Sequence, residues 1–265
     1  MKARSRAMRL ATVDGQPPDD SHQDISLAEQ ARRSLRRDIT LGLLQAGQTL
    51  RLEFLKERYG ISFSPIREAL TSLEGERLVV STPSKGFRVA PLSEEEMWDA
   101  IETRILIDCE ALRRSLKAGD DDWEVQLVSA FHALKLAAKA ADQGGADPDA
   151  QEALELRHME FHNSLVAACG STWLRQLSGQ LYAHTERYRR PNLRPRYGPL
   201  QSATAGERDV NKEHAQLLAA AVDRDVERAC ELVASHYRAT GHMIVDALRR
   251  KSEQASQTEA GMEDT

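Results

Sequence analysis

The chain has 265 residues, 41% hydrophobic and 29% charged, with a formal net charge of −5, which is ordinary soluble composition and length for about two globular domains. No apolar run is long enough to span a membrane, and the basic start (Lys2, Arg4, Arg6, Arg9) lacks the apolar core of a signal peptide. Cys109, Cys169 and Cys230 are odd in number and scattered; they argue against a disulfide framework or structural zinc knuckle and for reduced thiols in the cytoplasm.

Residues 1–24 carry charge and Pro17-Pro18 without periodicity and read as a disordered arm. Their basic residues would also suit a minor-groove arm. A helix is predicted from about Ser26 to Gln45, with Leu27, Ala31, Leu35, Ile39 and Leu43 on its buried side. Its arginines, 32, 33, 36 and 37, read as a solvated face. A second helix is predicted from about Glu53 to Tyr59, with Arg51 just before it and well placed for a phosphate. Gly60 allows the positive φ that a helix end needs. Ser62 or Ser64 can then cap a third helix whose first turn holds Pro65. Ile66, Ala69, Leu70 and Leu73 give that helix one buried face. Phe63, Ser64 and Arg67 lie on the other side, at an N-terminus that favours phosphate. Residues 78–82 and 87–90 are β-rich and flank the turn Pro83-Ser84-Lys85-Gly86, so they predict a hairpin.

This order of helix, turn, helix and hairpin is that of a winged helix-turn-helix. Ser62-Phe63-Ser64-Pro65-Ile66-Arg67-Glu68-Ala69-Leu70 resembles the recognition helix of the GntR family. The family usually has arginine where this chain has Phe63, while Arg67 matches the second family arginine. Phe63 would suit contact with thymine methyls instead. Lys85-Gly86 matches the basic-Gly pair at the family's wing tip. The resemblance implies DNA contact by Arg51, Ser62, Phe63, Ser64, Arg67, Lys85 and Gly86. Residues 25–92 carry a net charge of +4 and residues 93–250 a net of −6, so an acidic protein holds a locally basic module.

From Ser93 onward only helices are predicted. Ser93-Glu94-Glu95-Glu96 has the form of a capping box, and Met97, Ile101, Ile105, Cys109, Leu112 and Leu116 mark a long first helix. Others are predicted over about 122–141, 149–168, 172–189, 206–223 and 226–249. Pro191 to Pro199 reads as a proline-containing connection, and residues 251–265 as a disordered tail. His158 and His162 stand at i and i+4 on one helix face, a spacing that suits two ligands on one metal. With eight histidines in the chain, a chance pair is the competing reading.

Residues 157–170, Glu213 to Ala221 and Asp225 to His236 resemble the FCD domain, the all-helical effector domain of many GntR regulators. The likeness extends over about residues 93–245. In that family a carboxylate and three histidines often bind a divalent metal. The three histidines fall on His162, His214 and His236, and the carboxylate position falls on His158. An all-histidine set is neutral and favours zinc, nickel or copper over manganese or magnesium, zinc and nickel first. If His158 stands aside, three histidines leave open positions for water and effector. Arg104 and Asp108 also match family positions, where the arginine can bind an effector carboxylate. The competing reading is an i,i+4 pair that merely staples a helix. Tyr182, His184, Arg187 and Tyr188 could line the same cavity by helical spacing. The run 180–190 resembles a branch of repressors that respond to glutarate and other carboxylates, which implies a small carboxylic acid.

The expected fold is therefore mostly α: a winged helix-turn-helix over 25–92 and an FCD-type bundle over 93–250. The expected function is a cytoplasmic, homodimeric transcription regulator, in the first instance a repressor. It would bind a palindromic DNA operator under control of a small carboxylate held beside a divalent metal in the bundle. The rivals are an architectural DNA-binding protein and a metal-dependent hydrolase, the latter without a glutamate placed as in His-Glu-x-x-His.

Overall fold

A computed structural model describes residues 25–83, 85–144, 147–193 and 208–263. The arm of residues 1–24 and the part of the proline-containing connection after Leu193 lie outside the described residues. The protein is mostly helical, and no helix among the described residues is long and apolar enough to cross a membrane.

The N-terminal part holds helices α1 (Leu27–Thr40), α2 (Leu52–Tyr59) and α3 (Phe63–Gly75) and strands β1 (Thr49–Leu50), β2 (Val79–Thr82) and β3 (Gly86–Val89). The Ser26 hydroxyl accepts the Glu29 N–H and starts α1. Gly60 ends α2 with φ 68°, the left-handed turn expected of it. Ile66, Ala69, Leu70 and Leu73 of α3 are buried with Ala31, Leu35 and Ile39 of α1. Leu27 and Leu43 were expected in this core, but they are 55% and 54% exposed. Helix α1 stops at Thr40 and Gly42 turns the chain with φ 73°. Beyond that turn the helical period no longer applies, so Leu44 is buried in place of Leu43. The predicted hairpin is present, with Val79 opposite Val89 and Thr82 opposite Gly86. Strand β1 adds a third, antiparallel strand, Thr49 opposite Arg88 and Leu50 opposite Phe87. Two residues are too few to show a period of two.

The second part holds α4 (Glu94–Ala118), α5 (Asp121–Gly144), α6 (Pro148–Leu165), α7 (Thr172–Leu193), α8 (Val210–Val222) and α9 (Val226–Glu263). Ser93 caps α4 by accepting the Glu96 N–H, as the capping box implies. α4 packs on α7 and α9, α5 packs on α6 and α8, and α8 packs on α9. α7 runs past the predicted Arg189 end and includes Pro191. The Pro191 ring lies against Gly42, where a Cβ would come within 3.1 Å of it. α9 continues to Glu263 through the segment read as a disordered tail. That segment has no proline and carries several Glu, Gln and Ala, so propensity favours helix where apolar periodicity is absent.

α1 and α2 are joined through Asp38, which is 1% exposed. It accepts from Arg58 Nε at 2.8 Å and from the Tyr59 hydroxyl at 2.9 Å. Asp38→Ala strands the Tyr59 hydroxyl; the Arg58 side is partly exposed and screened. The expected loss is about 2 kcal/mol of stability, read as a lower denaturant midpoint. An unchanged midpoint would remove Asp38 from the junction.

Candidate functional site

Two surfaces carry chemistry. The first is the α3 and wing face. Ser62 is the N-cap of α3 with extended backbone, and its hydroxyl accepts no bond from the helix. Its neighbours Ser64 and Arg67 are exposed, and Phe63 is 40% exposed with Lys56 Nζ 5.1 Å from its ring centre. Arg51 caps α2 without a side-chain bond and is exposed. Lys85 and Gly86 stand exposed at the hairpin turn, Gly86 with φ 76°. The seven residues singled out in the sequence thus lie on exposed helix starts and the wing turn. Among the described residues, no ion pair engages Arg51, Lys56, Arg67, Lys85 or Arg88. The α1 arginines differ: Arg32 and Arg36 both pair with Glu76, Arg33 with Glu29 and Arg37 with Asp38. Lys56 and Arg88 add charge that no motif had marked.

The second is a cluster inside the helical bundle. His158 and His162 on α6, His214 on α8 and His236 on α9 bring one ring nitrogen each within 4.8 Å of all the others. His162 and His158 face each other Nε2 to Nε2 at 3.2 Å. Unless one of them carries a proton, two lone pairs meet there. His158 Nδ1 lies 3.3 Å from the Tyr182 hydroxyl. His236 Nδ1 lies 2.7 Å from Glu213 Oε2 and 3.0 Å from an Arg208 nitrogen. A carboxylate only accepts, so Nδ1 carries the proton and Nε2 keeps its lone pair. Arg208 is then committed to Glu213 and to the His236 carbonyl. Both nitrogens of His214 and Nδ1 of His162 are buried with no hydrogen-bond partner among the described residues.

Burial, then the neighbouring imidazoles and guanidinium groups, hold His158, His162 and His214 well below the usual imidazole range. Burial lowers His236 too, against the opposing pull of Glu213. Burial pushes the Glu213 carboxyl up, but bonds from His236 and Arg208 outweigh it and bring it down to about 2. The result is four neutral imidazoles beside fixed outer partners. Orphaned ring nitrogens and a converging all-nitrogen donor set fit a divalent cation of the imidazole-preferring kind.

Arg104 lines the same cavity, together with Thr185, Glu186 and Arg189 of α7 and Tyr237 of α9. Its guanidinium donates to Asp108 at 3.1 Å, Thr185 at 3.1 Å and Tyr237 at 3.0 Å. Asp108 also accepts from the Tyr237 hydroxyl at 2.7 Å, so it anchors Arg104 rather than facing the cavity itself. Tyr188, expected in the cavity, is not there. It is buried beside His184 and Arg187 on the other face of α7. Positions 182, 185, 186 and 189 share the cavity face, while 184, 187 and 188 turn toward α4 and the winged helix. There Arg187 donates to the carbonyls of Arg77, Ala90 and Pro91. Arg77 follows α3 with φ 58°, an uncommon state for a side chain with a Cβ. Glu186 borders both the histidine cavity and a cleft of about 720 Å³ between α1, α6 and α7. Arg208 and Tyr237 were not marked by any motif.

The family model described as "Bacterial regulatory proteins, gntR family" matches residues 27–89, and the one described as "FCD domain" matches 99–239. The chain is 38% identical over 80% of its length to the HTH-type transcriptional regulator BphR of Paraburkholderia xenovorans, covering 82% of that protein. It is 35% identical over 77% of its length to the HTH-type transcriptional repressor GlaR of Escherichia coli, covering 89% of that one. Among solved structures, E. coli McbR/YncC superposes with a TM-score of 0.69 at 19% identity, over 84% of this chain and 98% of that one. A winged helix joined to a histidine-bearing helical bundle thus defines a class of DNA-binding transcription regulators rather than enzymes. The chain belongs to the GntR family, within its FCD group.

Arg67→Ala is expected to weaken operator binding by about 1–3 kcal/mol with relaxed preference at one base pair. Lys85→Ala is expected to weaken all sequences alike and lower the salt slope by about one. Mobility-shift titrations at several salt concentrations read both; unchanged affinity in the Arg67 variant would take it off the interface.

Proposed function

We propose that this protein is a cytoplasmic, homodimeric repressor whose operator binding is released by a small carboxylate held beside a divalent metal in the helical bundle. Two recognition helices, related by the dimer axis, would enter successive major grooves of a palindromic operator about one helical turn apart. Arg67, Ser62, Phe63 and Ser64 would meet bases and phosphates. Arg51 and the Lys85-Gly86 turn would hold the flanking backbone. The repressor sign follows the name of GlaR, a relative at 35% identity.

His158, His162, His214 and His236 would hold the metal, zinc or nickel first. When bound, it supplies an electrophilic position for a carboxylate oxygen. Arg104 stands at the cavity wall to offset the carboxylate charge. The observation that carries the reading is that α7 is shared. One face closes the histidine cavity with Thr185, Glu186 and Arg189. The other holds the end of α3 and the segment after β3 through Arg187. The cavity measures only about 30 Å³, room for a water or two. A carboxylic acid would have to displace the α7 wall, and Arg187 would pass that displacement to the winged helix. An effector with unequal affinity for two placements of the heads shifts their populations.

The test starts from untagged protein and elemental analysis, with about one zinc or nickel per chain expected. A screen of small carboxylates by melting temperature identifies ligands, since occupancy at a hundredfold over Kd adds about 2.7 kcal/mol. His214→Ala should lose the metal and the ligand response yet bind the operator normally. Arg187→Ala should keep metal and ligand binding, and lose the ligand's effect on operator affinity. Chelated protein that still responds fully would overturn the metal. An Arg187 variant that still releases DNA normally would overturn the α7 route.

A further inference from the structure

The seam between α4 and α9 carries a pair of thiols that the regulator reading leaves unused. Cys109 lies on α4 and Cys230 on α9, 121 residues apart in sequence. The Cys109 thiol points to the Cys230 carbonyl at 3.7 Å, and the Cys230 thiol points to the Cys109 carbonyl at 3.6 Å. A disulfide requires backbones that approach closely, and each sulfur within 3.7 Å of the other cysteine's own carbonyl brings the two residues that near. Both cysteines are half-buried, within reach of a small oxidant, whereas Cys169 is buried and points to the Ser171 carbonyl.

Burial raises both thiols, while the Arg113 guanidinium beside the pair lowers both. A neighbouring cation favours thiolate, so one sulfur can attack and the other resolve.

We propose that Cys109 and Cys230 form a peroxide-responsive dithiol that closes to an interhelical disulfide and reopens on reduction. One of the two thiolates attacks hydrogen peroxide, forming an S–O bond as the O–O bond breaks and releasing hydroxide, which takes up the proton the thiol gave. The other sulfur then attacks the sulfenic sulfur, forming the S–S bond and releasing the oxygen as a second water. The two thiols lose two electrons and two protons, and peroxide is reduced to two waters. A low-molecular-weight thiol reverses the reaction by exchange, becoming the oxidised disulfide. The disulfide pins α4 to α9 next to Asp108, which already accepts the Tyr237 hydroxyl across the same seam. The device is separate from the metal reading and stands without it.

The full chain is treated with hydrogen peroxide in chelator-containing buffer, then alkylated under denaturing conditions and weighed intact. Oxidised wild type should take one alkyl group, on Cys169, and reduced wild type three. Peptide mapping should find Cys109 joined to Cys230 within one chain. Cys109→Ser and Cys230→Ser should form no such link, and dithiothreitol should restore three labelled thiols in wild type. Hydrogen exchange on the same samples should slow in α4 and α9 on oxidation of wild type only. Three thiols remaining after peroxide, a link through Cys169, or a link between chains would overturn the pairing. A disulfide with unchanged exchange in both helices would overturn the switch.

Discussion

Four imidazoles inside one helical bundle impose the constraint around which the second half of this protein is arranged. Three of their ring nitrogens have no partner among the described residues. A buried polar atom left unsatisfied costs about 1–3 kcal/mol. Protonation offers no relief, because burial and the crowding of the rings hold them neutral. The surrounding side chains accept this arrangement and refine it. Glu213, fixed by Arg208, sets the tautomer of His236, and Tyr182 stands at His158. Such outer partners orient ring nitrogens toward a common point, which a packing role for the histidines would not require. A divalent cation, as proposed, would satisfy the orphaned nitrogens and relieve the 3.2 Å approach of His158 and His162.

The histidine cavity matters to DNA only if its wall reaches the winged helix, and α7 is that wall. Its two faces serve different halves of the protein. The carbonyls that Arg187 holds belong to the turn after α3 and to the segment leaving the wing. Pro191, one turn further, lies against Gly42 just past α1. The α1 arginines belong to the same junction, since Arg32 and Arg36 close on Glu76 at the end of α3. Hence the recognition helix is braced from α1 on one side and from α7 on the other. A bistable element that both sites bias is the physical requirement for coupling between them.

Much of this was legible because local chemistry dictates it. Gly60 announces a left-handed helix end, Ser93 a capped start, and Ile66 through Leu73 a buried helix face; each rests on neighbours within a turn or two. The convergence of His158, His162, His214 and His236 came from family resemblance, since spacing alone joins only the first two. What failed depended on where elements end or how they rotate. Leu43 was placed inside by extending the α1 period past Gly42. Tyr188 was placed in the cavity because helical spacing does not say which face of α7 turns inward. Arg208, Tyr237 and the Cys109–Cys230 pairing leave no trace in sequence, because their partners are brought close only by the packing of α4, α8 and α9.

Zinc K-edge absorption spectroscopy of stripped, zinc-reloaded protein bears most directly on the central reading. The expected spectrum is a nitrogen and oxygen shell with the multiple-scattering signature of several imidazoles, reduced in His214→Ala. A shell containing sulfur, a spectrum without imidazole scattering, or zinc that washes away from the folded chain would contradict it.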